Sequence, residues 1–132
     1  MRTIKFRGKS LFTGRWIIGD LYHYDLDGGM AIQFYDEEDG WVSENVKENT
    51  VGQFTGFKDK KGTEVFEGDI LAVKACKGFV YKLVRYDSDD GMWIADKCNG
   101  NQISHLLAEF VGISEVIGNI HDNPELLKGG AQ

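Results

Sequence analysis

Two carboxylates one residue apart, Glu67 and Asp69 in "VFEGDIL", are the first residues of this chain that could do chemistry. Paired carboxylates at that spacing can divide the roles of general acid and general base, or share a divalent cation. Gly68 between them and the apolar strand that follows favour a simpler task, in which short acidic side chains fix a tight turn by accepting backbone N–H groups. Four consecutive acids, Asp36-Glu37-Glu38-Asp39, could also position a cation or shuttle a proton, but such a run ending in Gly40 reads as a solvated loop tip. "DLDGG" from Asp25 and "DSDDG" from Asp87 resemble the openings of calcium loops, yet neither reaches the closing Glu that completes one. His23, His105 and His121 are scattered, without HxH, HxxxH or HExxH spacing to hold zinc. Ser104-His105 with Glu109 lacks the GxSxG elbow of a nucleophilic serine, and neighbours on a strand point to opposite faces. No GxxxxGK(S/T) or GxGxxG loop is present to cradle phosphate. On these residues we expect no metal and no cofactor, and an enzyme reading rests on Glu67 and Asp69 alone.

The elements that position these residues read as β-structure. "TIKFRG" alternates, with Ile4 and Phe6 on one side and Lys5 and Arg7 on the other. "GRWIIGDLYHYD" and "MAIQFYD" are rich in β-branched and aromatic residues and flank the turn "DLDGG". "DEEDG" breaks the chain before "WVSENV". "YKLVRYD" and "MWIAD" flank "SDDG", a hairpin with Gly91 where positive φ is needed. Asp59-Lys60-Lys61-Gly62 makes a turn, "TEVF" a short strand, Glu67-Gly68-Asp69 a second turn and "ILAV" a core strand. "EVIGNI" is a late strand. "SHLLAEFVG" reads as strand or loop, with one helical turn as the alternative. Asn123-Pro124-Glu125 before "LLK" looks like the start of a short C-terminal helical turn, with Asn123 as its N-cap. Closely spaced strands without βαβ alternation predict a mainly β fold: an antiparallel sheet or a small SH3-like barrel.

The 132 residues suit one domain, residues 1–132, with a soft division near 52–62 into an N-terminal sheet and a barrel-like second half. Cys76 and Cys98 stand 22 positions apart without a CxxC, as reduced cysteines of an intracellular protein do, although spacing leaves a disulfide open. No apolar run approaches the roughly 18–20 residues that span a bilayer, and the basic N-terminus lacks an apolar core, so we expect a soluble, cytoplasmic protein away from membranes. The net charge of −6 is unevenly laid out. Residues 1–19 carry Arg2, Lys5, Arg7, Lys9 and Arg15 with no acid, whereas residues 20–49 carry nine acids against Lys47 alone. Such a layout suits complementary faces, within one fold or across a homo-oligomer. An acidic pI of about 5.0 argues against strong non-specific binding to nucleic acid.

"TVGQFTGFKDKKGTEVFEGDIL" followed by "VIGNIHDNPELL", with "IKFRG" leading into "WIIGDL" at the start, resembles the YopX family of phage and prophage proteins across residues 2–128. The signature falls on Thr55, Gly56, Asp59, Gly62, Glu67, Gly68 and Asp69, and then on Gly118, Asn119, Asn123, Pro124 and Leu126. His121 stands where an aromatic such as Tyr is expected. The resemblance implies a β-rich fold, a bacterial mobile-element origin and no established activity. The leading expectation is therefore a non-enzymatic phage or prophage accessory protein, alone or as a homo-oligomer, that binds a host or phage protein through a sheet edge or the acids at 36–39. The alternative is a nucleic-acid-binding barrel using Lys74, Lys77, Lys82 and Arg85. Its stacking residues would come from Trp16, Tyr22, Tyr24, Phe34, Tyr35, Trp41, Phe54, Phe57 and Trp93, with Arg7 and Arg15 beside them.

Overall fold

The computed structural model describes residues 1–24, 29–98 and 104–129, with the side chains of 128 and 129 excepted. The "DLDGG" turn and its calcium-like opening lie outside the described residues. The chain divides into two compact units, Met1–Phe54 and Thr55–Gln132, so the division falls within residues 52–62. Among the described residues the sheets are antiparallel, and they remain open rather than closing into a barrel.

In the first unit β1 (Phe6–Lys9), β2 (Trp16–His23), β3 (Met30–Asp36) and β4 (Gly40–Val46) lie side by side in the order β4-β3-β2-β1. The pairing is in plain register, Arg7 opposite Ile18, Lys9 opposite Trp16 and Tyr35 opposite Trp41. Period-two alternation sorts the side chains onto two faces. One face carries Phe6, Ile17, Leu21, Ile32, Phe34, Val42 and Val46, of which Ile32 is wholly buried and Val46 nearly so. β1 curls far enough that Ser10 bridges Val46, with the Leu11 N–H donating to the Asn45 carbonyl at 2.9 Å and the Lys47 N–H to the Lys9 carbonyl at 2.8 Å. Thr50, in a 3-10 turn at Glu48–Thr50, clasps this junction by accepting the Lys9 N–H and donating to the Lys47 carbonyl. β5 (Gly52–Lys58) begins beside β1, Gln53 opposite Phe6.

The second unit holds the rest of β5, β6 (Glu64–Phe66) beside it, and a five-stranded sheet. That sheet is built from β7 (Asp69–Ala75), β8 (Gly78–Asp87), β9 (Met92–Lys97), β10 (His105–Leu106) and β11 (Glu115–Asn119), in the order β10-β9-β8-β7-β11. "ILAV" enters β7 as a continuous apolar run because β7 is flanked by β8 and β11 and covered on both sides; Ile70, Leu71 and Ala72 are all buried. Leu71, Val84 and Ala95 cluster with Val65, Leu107, Phe110 and Val111. Each fully buried Leu or Val contributes about 1.5–3 kcal/mol. Gly91 has φ 67° in the β8–β9 turn, as the "SDDG" pattern predicts. The stretch "SHLLAEFVG", expected as strand or loop, is mainly helical: after two residues of β10 it forms α1 (Leu107–Phe110) and a 3-10 turn at Val111–Ile113. The reason is packing. Leu107, Phe110 and Val111 stand at i, i+3 and i+4, and only a helical turn delivers all three to the same core. The C-terminal helical turn is α2 (Leu126–Gly129).

Candidate functional site

Two surfaces compete for the role of site: the signature residues of the second unit and the outer face of the first. Asp59 anchors the signature. Its Oδ1 accepts the N–H of Lys61 and of Thr63, both at 2.9 Å, and the Gly62 N–H closes the turn on the Asp59 carbonyl at 3.0 Å. Gly62 takes φ 85° there, which a side chain would resist. The second carboxylate oxygen, Oδ2, accepts the Val116 N–H of β11 at 2.8 Å, 57 positions away in sequence. Burial by itself would raise the Asp59 carboxyl. The N–H groups of Val116, Thr63 and Lys61, with the nearby Lys61 ammonium, outweigh it and hold the carboxyl below its ordinary value.

Thr55, Asp69, Asn119 and Asn123 also bond to backbone groups through their side chains. Thr55 donates its hydroxyl to the Val65 carbonyl at 2.7 Å and accepts the Phe57 N–H. Asp69 is 1% exposed, and its Oδ2 takes the Phe66 N–H at 2.7 Å across the Glu67-Gly68 turn. Gly68 accepts the Ile120 N–H and donates to the Val84 carbonyl, which ties the turn to β8 and to the end of β11. Asn119 Oδ1 accepts the N–H groups of His121 and Asp122, and its own N–H donates to Asn123 Oδ1 at 3.2 Å. Asn123, expected as the N-cap, thus folds back onto Asn119. Pro124 follows it, and its carbonyl accepts the Leu127 N–H. Gly118 is required by close approach, since a Cβ there would lie 2.4 Å from Asn123 Oδ1. Gly118 pairs with Ile70 and Asn119 with Asp69, so the two halves of the signature form one hydrogen-bonded junction. Asp69 thus fixes the turn through Oδ2, while Glu67 stands half-buried within it.

The basic set is dispersed. Lys74 and Arg85 lie on one face of the sheet, Lys82 on the other and Lys77 in the β7–β8 turn. Lys82 is 2% exposed; burial pushes its ammonium down, against the opposing charges of Cys98 and Asp96. Arg85 pairs with Asp96 at 2.5 Å, and Ser104 also donates to that carboxylate. Cys76 and Cys98 are not joined in a disulfide.

The outer face of the first unit presents a different chemistry. Tyr35 and Trp41, opposite each other across β3 and β4, meet edge to face with ring centroids 5.5 Å apart, yet remain 62% and 66% exposed. The acid run caps this hairpin. Asp36 Oδ1 accepts the N–H groups of Glu38 and Asp39, and Gly40 at φ 75° closes the turn, which leaves Glu37, Glu38 and Asp39 in solvent. On β1 and β2 the same alternation sets Arg7 and Lys9 over the Trp16 ring, 4.6 and 5.5 Å from its centroid, with Ile18 exposed beside Arg7. Of the aromatics considered from sequence, Trp16, Tyr22, Tyr35 and Trp41 share this face and Phe34 lies on the other. Sequence reading missed the Tyr35–Trp41 pair, although both residues flank the "DEEDG" turn symmetrically. Among the described residues, no three His, Cys, Asp or Glu side chains converge as metal ligands do, and no helix is long and apolar enough to cross a membrane.

These observations define an antiparallel β protein whose signature residues knit turns together and whose exposed aromatics lie elsewhere. The chain belongs to the YopX family, whose model, described as YopX protein, matches residues 5–128. A crystal structure of protein EF1440 from Enterococcus faecalis is similar, with a TM-score of 0.55 and 23% identity over 96% of this chain and 99% of that one, a likeness of fold. No curated protein matches the chain.

Proposed function

We propose that this protein is a non-enzymatic binding module, a phage- or prophage-encoded accessory protein of the host cytoplasm that engages a protein partner through its β3–β4 hairpin. The Tyr35–Trp41 pair carries the reading: two large aromatics, largely exposed and held edge to face, directly under three solvated acids. Burying such a pair against a partner removes a large apolar area from water, and aromatic side chains are the usual anchors of protein interfaces. The acids Glu37, Glu38 and Asp39 select a partner surface of opposite charge. The same acids repel phosphate, which weighs against nucleic acid at this hairpin.

A pull-down with tagged protein from bacterial lysate, with and without nuclease, tests the reading. A stoichiometric protein, either from the lysate or an untagged copy of this chain expressed alongside, should co-elute in both, and Tyr35→Ala with Trp41→Ala should remove it with only a small drop in melting temperature. Retention of the partner by that double variant, or loss of the co-eluting material on nuclease treatment, would count against the hairpin as a protein-binding site.

A further inference from the structure

The first unit carries two surfaces of opposite charge, an exposed acidic hairpin and a half-buried cationic face on β1 and β2, each with an apolar centre. On the β3–β4 hairpin, Tyr35 and Trp41 lie beside Glu37, Glu38 and Asp39. On β1 and β2, Arg7 and Lys9 lie beside Trp16 and the 45% exposed Ile18, with Arg15 at the start of β2. Among the described residues, no ion pair joins Glu37, Glu38 or Asp39 to a cation. The sequence keeps the two charges apart: no acid in residues 1–19, one Lys against nine acids in residues 20–49. A two-fold contact requires each subunit to offer the same self-complementary patch. This unit does so, because the hairpin of one copy can meet the β1–β2 face of another while the reverse contact forms at the same time.

We infer that the partner of the hairpin is a second copy of this chain, docked so that the acids and aromatic pair of each copy lie on the cationic β1–β2 face of the other. The inference rests on the binding reading above and names its partner. Both contacts add exposed ion pairs to apolar burial, so the dimer weakens as salt screens the charges.

Light scattering after gel filtration, across a concentration series, reads the oligomer directly. Wild type should approach twice the 14.8 kDa chain mass and return toward the monomer at high salt. One variant, Glu37→Lys with Glu38→Lys and Asp39→Lys, makes the hairpin cationic. A second, Lys9→Glu with Arg15→Glu, makes the β1–β2 face acidic. Each alone should be monomeric, since both contacts then repel. Mixed in equal amounts they should form a heterodimer, because each reversed surface meets its reversed complement and the two unaltered surfaces meet each other. Melting curves of both variants confirm that they fold.

A wild type monomeric at every concentration, or a dimer indifferent to both reversals, would overturn the inference. If that monomer still captures a lysate protein that the Lys hairpin loses, the second copy is wrong while the binding reading stands. If it captures none, both fall. Binding of oligo-dT at low salt, abolished by Lys9→Glu with Arg15→Glu, would overturn the second copy in favour of nucleic acid.

Discussion

The second unit buries Asp59, Asp69 and Asn119 of its signature, and the first unit displays an acidic hairpin tip. Asp59, Asp69 and Asn119 are at most 8% exposed, and each has a side-chain oxygen that accepts a backbone N–H. Glu37, Glu38 and Asp39 face solvent above an aromatic pair that is more than half exposed. A buried carboxylate that accepts backbone N–H groups stabilises the fold, whereas an exposed one contributes little to folding and keeps its charge for a partner. The family signature therefore reports how the second unit holds its turns. The recognition surface, on this reading, lies outside the signature.

Substitutions should separate the two regions cleanly. The largest effect is expected at Asp59, where Asp59→Ala removes the acceptor of three part-buried N–H groups, those of Lys61, Thr63 and Val116. Urea denaturation should show a loss of about 3 kcal/mol or more. Oligomeric state and partner capture should be unchanged in whatever fraction remains folded.

Next comes Gly118→Ala, which forces a methyl against Asn123 Oδ1 and should cost about 2 kcal/mol. Combining it with Asn123→Ala should cost less than the two single losses together, because the second change removes the atom that clashes. Strict additivity would mean that the close approach is not the source of the penalty.

The pH dependence of stability should also belong to the second unit. Asp59 has a folded value below the ordinary carboxylate pKa, and so does Asp96, where burial is outweighed by hydrogen bonds from Arg85, Ser104 and the Lys97 N–H. Their contribution is complete above the unfolded pKa of about 3.9 and fades as the pH falls through the depressed folded values. Wild type should therefore lose stability as the pH falls below about 4, and Asp59→Asn should flatten that loss when melting is followed across the acid range. An unchanged slope would show that Asp59 does not titrate with folding.

Trp41→Ala should have the smallest effect on the fold, under about 1 kcal/mol, since it removes an exposed ring and one edge-to-face contact. Its effect on partner capture should be the greatest of this set. A large drop in melting temperature would instead place the pair with the folding elements and dissolve the contrast.

Local pattern was legible wherever neighbours in sequence are neighbours in space. The turns at Asp59–Gly62, Glu67–Asp69 and Asp36–Gly40 follow from Asp, Asn and Gly chemistry, and β7 from its apolar run. Residues 107–113 were not legible as helix. Their apolar positions suit a strand or a helical turn, and the shared core with Val65, Leu71 and Val84 made the choice. The N-cap expected of Asn123 failed for a related reason: Asn119, four positions earlier, offered it a partner.

The chain's own pattern determined a β-rich protein, the sites of its turns, the segregation of charge and the family. Only the tertiary structure decided what those residues do. It brought Val116 to Asp59 and Asn119 to Asp69, and so made two distant motifs one junction. It also buried Lys82, dispersed the basic set and set Tyr35 beside Trp41 in the open. Turn chemistry and alternation act over a few residues and can be read in order along the chain. Which face of a strand is covered, and which remote N–H a carboxylate meets, depends on strand register and packing between segments far apart in sequence.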